Sequence, residues 1–241
     1  MLGVHQSSVA TSLERLATGK RINRASDDPS GLIAAEQFKF RMTTLEKRIE
    51  RFEFEETRLG ATEGGLSVVS EMVIDLQGLA VTFANSGAMS DEEREALKIE
   101  AQSIIEGIGT LETTTIFNGD QVLAGLGPDL SEFIEALDAN PEKAQEIVDQ
   151  AVDEVAGRRG AIGNRLIEID AERGALYAEF EGNAEALSSI QDTDFAKESA
   201  SLIRAQILEQ ATIKAMLVER EQADRVLDLI ASVPTIQPLN N

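Results

Sequence analysis

The sequence contains no cysteine and no tryptophan, and it has one tyrosine and one histidine among 241 residues. Without cysteine, the chain cannot form a disulfide, a thiolate metal site or a cysteine nucleophile. A single histidine, His5, makes a catalytic zinc site with three protein ligands hard to build. Aromatic residues make up only 4%, too few for an aromatic-lined ligand pocket. The composition therefore predicts a protein that is not an enzyme and has no cofactor.

Positive charge is also scarce, because 22 basic residues face 43 acidic ones, for a formal net charge of −21. A polyanion repels nucleic-acid phosphates and anionic lipid surfaces, and copies of it repel each other unless salt screens them. No apolar run looks long enough to span a bilayer. The N-terminal stretch "MLGVHQSSVATSLERL" lacks the apolar centre of a secretory signal. We therefore expect no nucleic-acid partner, no membrane insertion, and no cleaved signal peptide if the protein is exported.

Apolar residues recur at spacings of three and four over two long segments, which is the pattern of helices packed along a seam. The first segment runs from about Leu32 to Ala84, and the second starts at Glu142. The seam of the second segment comprises Ile162, Leu166, Ile169, Arg173, Leu176, Phe180, Asn183, Leu187 and Ile190. Arg173 and Asn183 are polar intrusions that can fix the register. Because patterns this long exceed ordinary globular helices, we predict two helices packed side by side.

Turn signals divide the region between these segments. "NSGAMSDEEREAL" ends one helix and starts another, with Ser90 and Glu93 placed as a capping box. "TTTIFNGDQVL", residues 113–123, has the Asn118-Gly119 pair of a tight β-hairpin, preceded by Phe117. Residues 124–141 look like a short connection with one small helix. The predicted fold is all-α: an elongated antiparallel helical rod, a coiled-coil-like bundle, with one small β-hairpin.

The stretch "RLATGKRINRASDDPSGL" is the most distinctive loop of the chain. Asp27 and Asp28 supply one cluster of oxygens without EF-hand spacing, and no cleft is indicated that would make them a catalytic pair. The simpler interpretation is a capped joint between helices, in which Gly19 ends one helix and Ser26 or Asp27 caps the next, with Pro29 in its first turn. We therefore predict no metal site and no catalytic residue here.

The last helix is expected from about Phe195 to Ile230, with Asp192 as its cap and Asp194 in its first turn. Its apolar residues, among them Ile207, Leu208, Leu217 and Leu227, form an amphipathic surface. This surface can pack against another helix of the same chain, or it can be the surface through which copies of the protein assemble. The tail "ASVPTIQPLNN", residues 231–241, is predicted to be disordered.

In combination these segments resemble the bacterial flagellins. Five stretches carry the resemblance in the family's order: "SSVATSLERLATGKRINRASDDPSGL" (7–32), "LAVTFANSG" (79–87), "TTTIFNGDQVL" (113–123), "RRGAIGNRL" (158–166) and "IQDTDFAKESASLIRAQILEQA" (190–211). The resemblance implies an extracellular structural subunit that self-assembles into the helical filament used for motility. Its copies would repeat one head-to-tail contact that does not close, so that the assembly grows as a tube.

The resemblance also implies a division of the chain into core (D0-like) and rod (D1-like) parts. The expected parts are 1–25 (partial core helix and spoke), 26–123 (rod with the hairpin), 124–141 (linker in place of the variable outer domain), 142–192 (rod), 193–230 (core helix) and 231–241 (tail). The sequence thus looks like a minimal flagellin.

Three features depart from the family pattern. Flagellins usually begin well before the motif at Ser7, so much of the first core helix and the region that guides export are expected to be absent. The last helix carries three charges at residues 219–221, and buried charges need partners. Gln77 and Gly78 occupy positions where some relatives present an Arg–acid pair to an innate immune receptor, so receptor recognition is not expected.

Partners and assembly residues follow from the same resemblance. The expected partners are further copies of the chain, an export chaperone that holds the C-terminal helix in a groove, and hook-associated proteins. The candidate residues are Arg21, Arg24, Asp27 and Asp28 at the spoke, Phe117 and Asn118 at the hairpin, Arg173 and Asn183 in the rod, and Ile207, Leu208, Leu217 and Leu227 on the last helix. Arg21 and Arg24 are expected to pair with acids of a neighbouring subunit.

Two other functions remain open from the sequence. A hook–filament junction protein of the same superfamily shares the "SDDPSG" loop, although "TTTIFNG" and "RAQILEQA" favour a flagellin. Such a protein would form a short ring and would not elongate. A flagellin-like surface binding protein that does not assemble is the other alternative.

Overall fold

The computed structural model describes residues 2–85, 87 and 89–231. Its helices are α1 (Leu2–Thr18), α2 (Pro29–Ala84), α3 (Asp91–Thr114), α4 (Phe133–Ala139), α5 (Pro141–Gln191) and α6 (Phe195–Ala231), and its strands are β1 (Ile116–Phe117) and β2 (Asp120–Gln121). Over these residues the chain is all-α apart from one two-stranded hairpin, as predicted. The predicted tail lies outside the described residues from 232 onward.

The chain forms two compact units. One comprises Met1–Thr43 with Glu181–Asn241, and the other comprises Thr44–Phe180. Both long helices, α2 and α5, contribute residues to each unit. The sequence-based boundaries at residues 25 and 192 separate the parts expected to form the core of the filament from those expected to form its rod, and this division stays a prediction.

In the first unit, α1 packs closely along α6, with Cα atoms within 8 Å. The two helices run antiparallel, because Thr193 near the start of α6 donates its N–H to the carbonyl of Gly19 just after α1. Ser12 and Ala205, both small, are buried in the unit. Small side chains allow two helix backbones to approach this closely.

The larger core of the second unit lies where the C-terminal half of α2, the whole of α3 and α4, and the first turns of α5 meet. Its largest fully buried side chains include Phe83 of α2 and Phe133 of α4. The other core residues are Val69, Val73, Leu76, Ala80, Ala101, Ile108, Leu130, Ala136, Leu137, Ala144, Val148, Ala151 and Val155. The connection at 124–141 is therefore part of the packed core.

A second, smaller core joins α2 to α5 farther along the same unit. Leu45, Ile49 and Phe52 of α2 pack with Ile169 and Leu176 of α5. Early residues of α2 meet late residues of α5, so the two helices are antiparallel. The seam predicted from the spacing of three and four is confirmed here.

The hairpin and the start of α3 follow their sequence signals. Asn118 (φ 51°) and Gly119 (φ 95°) both have positive φ, as a tight hairpin turn between twisted strands requires. Phe117 pairs with Asp120 across the turn. At α3, Glu93 N–H donates to the Ser90 hydroxyl and the Glu93 carboxylate accepts from the Ser90 N–H, so the predicted capping box is confirmed.

Two helix caps differ from the prediction. The Asp194 carboxylate accepts the N–H groups of Ala196 and Lys197 at 2.9 and 3.0 Å, so Asp194 caps α6 and lies before its first turn. The carboxylate of Asp192, the predicted cap, instead accepts a bond from the Ser188 hydroxyl. The sequence could not show which of the two aspartates is the cap, because both residues are good caps and they lie only two positions apart.

The start of α2 differs in the same way. Pro29 opens the helix as predicted, and Asp28 is its cap, because the Asp28 carboxylate accepts the Gly31 N–H at 2.9 Å. Asp27, which was predicted as the cap together with Ser26 as an alternative, closes the preceding loop instead. A carboxylate can reach the third N–H of a helix from the residue directly before its first turn, and only Asp28 occupies that position.

One described helix, α2, passes a test of length and composition for crossing a membrane, with a mean hydropathy of 1.4 in its most apolar window. This corrects the sequence-based statement that no such segment is present. About a third of the window, 33%, is buried inside the protein. A core helix passes the same test, so a single helix of this kind is weak evidence for a membrane span.

Candidate assembly surfaces

The two aspartates of the joint are occupied by local hydrogen bonds. Asp27 Oδ2 accepts the N–H groups of Arg24 at 2.9 Å and Asn23 at 3.0 Å, and these bonds hold the pKa of its carboxyl below the ordinary 3.8. The Gly31 N–H and then the Ser30 hydroxyl lower the pKa of Asp28 in the same way. Among the described residues, no group of three or more His, Asp or Glu side chains could hold a metal ion.

Arg21 joins the joint to the end of α5. Its Nη2 donates to the carbonyl of Ile190 at 2.6 Å and lies 3.4 Å from that of Ser189, while its backbone N–H donates to Gln191 at 2.6 Å. The last carbonyls of a helix have no partner within the helix and attract a cation. Arg21 therefore caps the C-terminus of α5.

Arg24 pairs within the chain. Its Nε and Nη2 lie 3.1 and 3.0 Å from Glu14 Oε1 on α1. The Arg24 side chain is 69% exposed, and an exposed pair contributes only about 0–1 kcal/mol. The expected pairing of Arg21 and Arg24 with a neighbouring subunit stays a prediction.

Glu198 is the main polar contact between α1 and α6. Its Oε1 accepts the Ser12 hydroxyl at 2.6 Å, and its Oε2 lies 3.7 Å from Arg15 Nη1. The Glu198 side chain is only 12% exposed. A buried charge needs partners of this kind, so this cluster fixes how the two helices meet.

The outer part of α6 has an exposed apolar surface. The four predicted assembly residues are exposed by 60% (Ile207), 44% (Leu208), 59% (Leu217) and 62% (Leu227). Every residue from 213 to 229 is exposed. We call residues 207–229 the α6 apolar surface.

The hairpin carries a second partly exposed apolar group. The rings of Phe117 and Phe54 lie 5.2 Å apart with their planes tilted by 55°, a favourable aromatic contact. Phe54 remains 51% exposed and Ile116 remains 59% exposed. The hairpin therefore rests on α2 and leaves apolar surface beside it.

Arg173 reaches across from α5 to Glu56 on α2 and also contacts Asp170 at 3.3 Å. Its position in the seam agrees with the predicted polar intrusion, and its role in fixing the register stays a prediction. Asn183 is half-buried and makes an interaction of its own.

Two further ion pairs between α5 and α2 escaped the sequence analysis. Arg159 donates to Glu63 Oε1 through Nε (2.9 Å) and Nη2 (2.8 Å), and Arg165 Nε donates to Glu55 at 2.8 Å. The bond to Glu55 raises the pKa of Arg165. The arginines within an otherwise uninterrupted helical pattern were the available signal, but spacing alone does not reveal which glutamate they meet.

The connection at 124–141 is held by two charged residues that sequence reasoning also missed. Glu112 Oε1 accepts the Gly127 N–H at 2.6 Å, and Arg158 Nη1 lies 3.3 Å from the carbonyls of Gly125 and Gly127. Leu123, which precedes this connection, is buried. Arg158 lies in the quoted stretch "RRGAIGNRL", so its position was visible although its partners were not.

Two family models match most of the chain. Residues 2–127 match the bacterial flagellin N-terminal helical region, and residues 145–230 match the bacterial flagellin C-terminal helical region. The first match alone spans more than half of the sequence.

Individual relatives match along almost their whole length. The flagellar filament 30.7 kDa core protein of Treponema maltophilum is 25% identical, with 96% of this chain and 95% of the relative covered. A flagellin of Halalkalibacterium halodurans is 26% identical, with 95% and 94% covered. A flagellin of Listeria monocytogenes is 23% identical, with 89% and 88% covered.

Proposed function

The chain belongs to the bacterial flagellin family, and from that premise we propose that its α6 apolar surface is where copies pack together in the flagellar filament. The protein is a structural subunit of that filament and is not an enzyme. The single observation that carries the proposed packing surface is the run of exposed apolar side chains along α6. Exposed apolar surface of this extent marks an interaction site.

The mechanism is geometric. Repeated contacts between different surfaces of identical subunits do not close, so they propagate as a helical tube. Burial of apolar side chains contributes roughly 25 cal/mol per Å² removed from water. The net charge of −21 opposes the approach of copies, so packing of the α6 surface has to outweigh this repulsion.

Electron microscopy of the purified protein tests the proposal. Samples would span low salt to about 1 M, where the Debye length falls to roughly 3 Å. Long tubes of uniform width are expected in the wild type, and none in a Leu217→Asp, Leu227→Asp variant. A variant that still forms such tubes would show that the α6 surface is not required.

We further propose that a chaperone holds the α6 apolar surface before assembly and that hook-associated proteins contact the end subunits. An amphipathic helix with an exposed apolar face fits a groove-type partner. A fragment comprising residues 195–231 would compete with the full chain for such a chaperone. Failure of both the fragment and the full chain to bind it would overturn this part of the proposal.

We also propose export without cleavage of a signal peptide. The support is that α1 is an integral part of the first unit, since its Ser12 is buried against α6. Mass spectrometry of the exported protein is expected to find residues 2–18 present. Their absence from exported protein would contradict the proposal. No observation favours the junction protein or the non-assembling binding protein over the filament subunit.

A further inference from the structure

The negative charge of this chain is concentrated in one stretch of the second unit. Residues 71–154 contain 19 acidic and three basic side chains. All three basic side chains already form ion pairs within the stretch. Arg94 and Lys98 pair with Asp138, and Lys143 pairs with Glu132. This part of the unit therefore presents negative charge that nothing within it neutralises.

An exposed stripe on α3 lies within this acidic stretch. Glu92, Glu95, Ile99, Gln102 and Glu106 follow each other at spacings of three and four, so they share one helix face. All five are exposed, and Ile99 at the centre is 62% exposed. We call these residues the acidic stripe.

A matching stripe of opposite charge lies on α2 in the same unit. Lys47, Arg51, Phe54 and Arg58 follow each other at spacings of four, three and four, and all are exposed. Among the described residues, neither Arg51 nor Arg58 has an ion-pair partner. We call these four residues the basic stripe. Both stripes span roughly 16–21 Å at 1.5 Å per residue.

Three neighbouring acids of α2 are turned toward α5, while the exposed Glu50 pairs with Lys47 of the basic stripe. Glu55 and Glu56 pair with arginines of α5, and Glu53 accepts a bond from Tyr177. In the described part of the chain, Arg51 and Arg58 are therefore the cations that remain without an ion-pair partner around Phe54, although α2 carries charges of both signs in this segment. The pairing between helices thus creates a surface charge that composition does not reveal.

We propose that the basic stripe of one copy packs against the acidic stripe of a second copy, with Phe54 against Ile99 at the centre. This contact rests on the proposed filament function and names one of its subunit contacts. Charge complementarity identifies the occupant as a second copy. The strongly negative chain repels a nucleic acid, whereas another copy carries the matching acidic helix. Among the described residues, no hydrogen bond or ion pair joins the two stripes within the chain.

Charge pairs of this kind set orientation and partner choice more than affinity, while an aromatic group packed at the centre supplies an apolar anchor. The contact therefore fixes how copies register, alongside the packing at α6.

Charge reversal tests the contact. Arg58→Glu or Glu106→Lys is expected to raise the critical concentration for assembly about fivefold at constant ionic strength, as the loss of exposed ion pairs implies. With Phe54 against Ile99, Arg58 lies on the side of Glu106 in a parallel contact and opposite Glu95 in an antiparallel one. Arg58→Glu combined with Glu106→Lys is expected to recover part of the loss in the first case, and Arg58→Glu combined with Glu95→Lys in the second. Arg48→Glu and Glu100→Lys change net charge equally but lie about a quarter and about a third of a turn from their stripes, so they are the matched controls.

Cross-linking gives a readout that does not depend on filaments. The natural chain has no cysteine, so a Phe54→Cys chain mixed with an Ile99→Cys chain forms a heterodimer only where the two positions meet. Ile74→Cys, at another exposed α2 position, replaces Phe54→Cys in the control mixture. A mixed disulfide well above that control supports the contact, whether or not filaments form.

The failures are distinguishable. Wild-type filaments with no difference between stripe variants and controls, and no preferred cross-link, would overturn the stripe contact and leave the filament function standing. A preferred cross-link without any wild-type filament would support the contact and count against assembly by this chain alone. Neither filaments nor a cross-link would overturn both.

Discussion

Ser12 and Glu198 are 186 residues apart in the sequence, yet the Ser12 hydroxyl donates to Glu198 Oε1 at 2.6 Å. This bond joins the first helix of the chain to the last. It lies beside the Arg15–Glu198 ion pair in a largely buried position, so the geometry of the first unit depends on it.

Replacing Ser12 with alanine removes this bond. Ser12→Ala is expected to lower the free energy of unfolding by about 1.5 kcal/mol, because a hydrogen bond to a charged, mostly buried group is lost. Urea unfolding followed by circular dichroism measures the change. Ser201→Ala is the control, since the Ser201 hydroxyl only bonds back to Lys197 of its own helix. Equal effects of the two substitutions would contradict the prediction.

The second prediction concerns Gly31 in the first turn of α2. A methyl group there would lie 2.7 Å from Cδ1 of the buried Ile22 and closer still to the Asp28 carboxylate. Gly31→Ala is therefore expected to destabilise the protein by about 1–3 kcal/mol. Gly60→Ala on the same helix meets nothing within 4 Å and is expected to stabilise by about 0.5–1 kcal/mol. Thermal unfolding of both variants checks the opposite signs.

The third prediction concerns acid stability at Asp27. Backbone bonds from Arg24 and Asn23 lower the pKa of this carboxyl in the folded state. Its contribution to stability is thus fully present above the unfolded pKa near 3.8 and is lost as the pH falls through the lower folded value. Asp27→Asn is expected to flatten the fall of stability below that pH. Asp228→Asn, which removes the same charge at an exposed position on α6, is the control, and an equal flattening in that variant would refute the assignment.

The fourth prediction separates folding from assembly at α6. Leu217→Asp with Leu227→Asp is expected to leave the thermal unfolding of the monomer nearly unchanged, because both side chains are more than half exposed. The same variant is expected to lose sedimentable polymer. Gln222→Asp, a change of charge at another exposed position of α6, serves as the control. Loss of monomer stability in the leucine variant would mean that the α6 surface packs within the chain.

The fifth prediction addresses the hairpin turn. Gly119 has φ of 95°, which a β-branched residue rarely adopts. Gly119→Val is expected to open the hairpin and to accelerate amide exchange at Val122, whose N–H donates to Thr115 at 3.1 Å. Asn118→Gly keeps the positive φ accessible and is expected to preserve protection. Unchanged exchange in the valine variant would show that the turn does not hold the strands.

Much of the helical layout could be predicted because its signals are local. The capping box at Ser90 and Glu93, the Asn118-Gly119 turn, and the seam through Ile169 and Leu176 all depend on residues a few positions apart. The predicted cap at Asp192 was wrong because the local signal does not distinguish two neighbouring aspartates. Asp192 and Asp194 are both suitable cap residues, and the path of the backbone between α5 and α6 decides which carboxylate reaches the first N–H groups of α6.

The candidate surface was only partly predictable. The apolar residues Ile207, Leu208, Leu217 and Leu227 were identified from spacing, but spacing does not say whether such a face is covered. That depends on which other helices pack against α6 once the chain has folded. Arg24 was identified as a charged residue, while its partner Glu14 was not.

The sequence by itself determined the helices, the hairpin and the family, because backbone preference and residue spacing act over a few neighbours. Only the tertiary structure decided the partners. Glu198 was free to meet any cation until α1 and α6 were brought together, and Glu55 and Glu56 turned toward α5 only because arginines lay opposite them. Packing contacts fall off within a few ångströms, and exposed charges are screened beyond about 10 Å at 0.1 M salt. Both are therefore fixed by distances in space, and those distances are set only when the chain has folded.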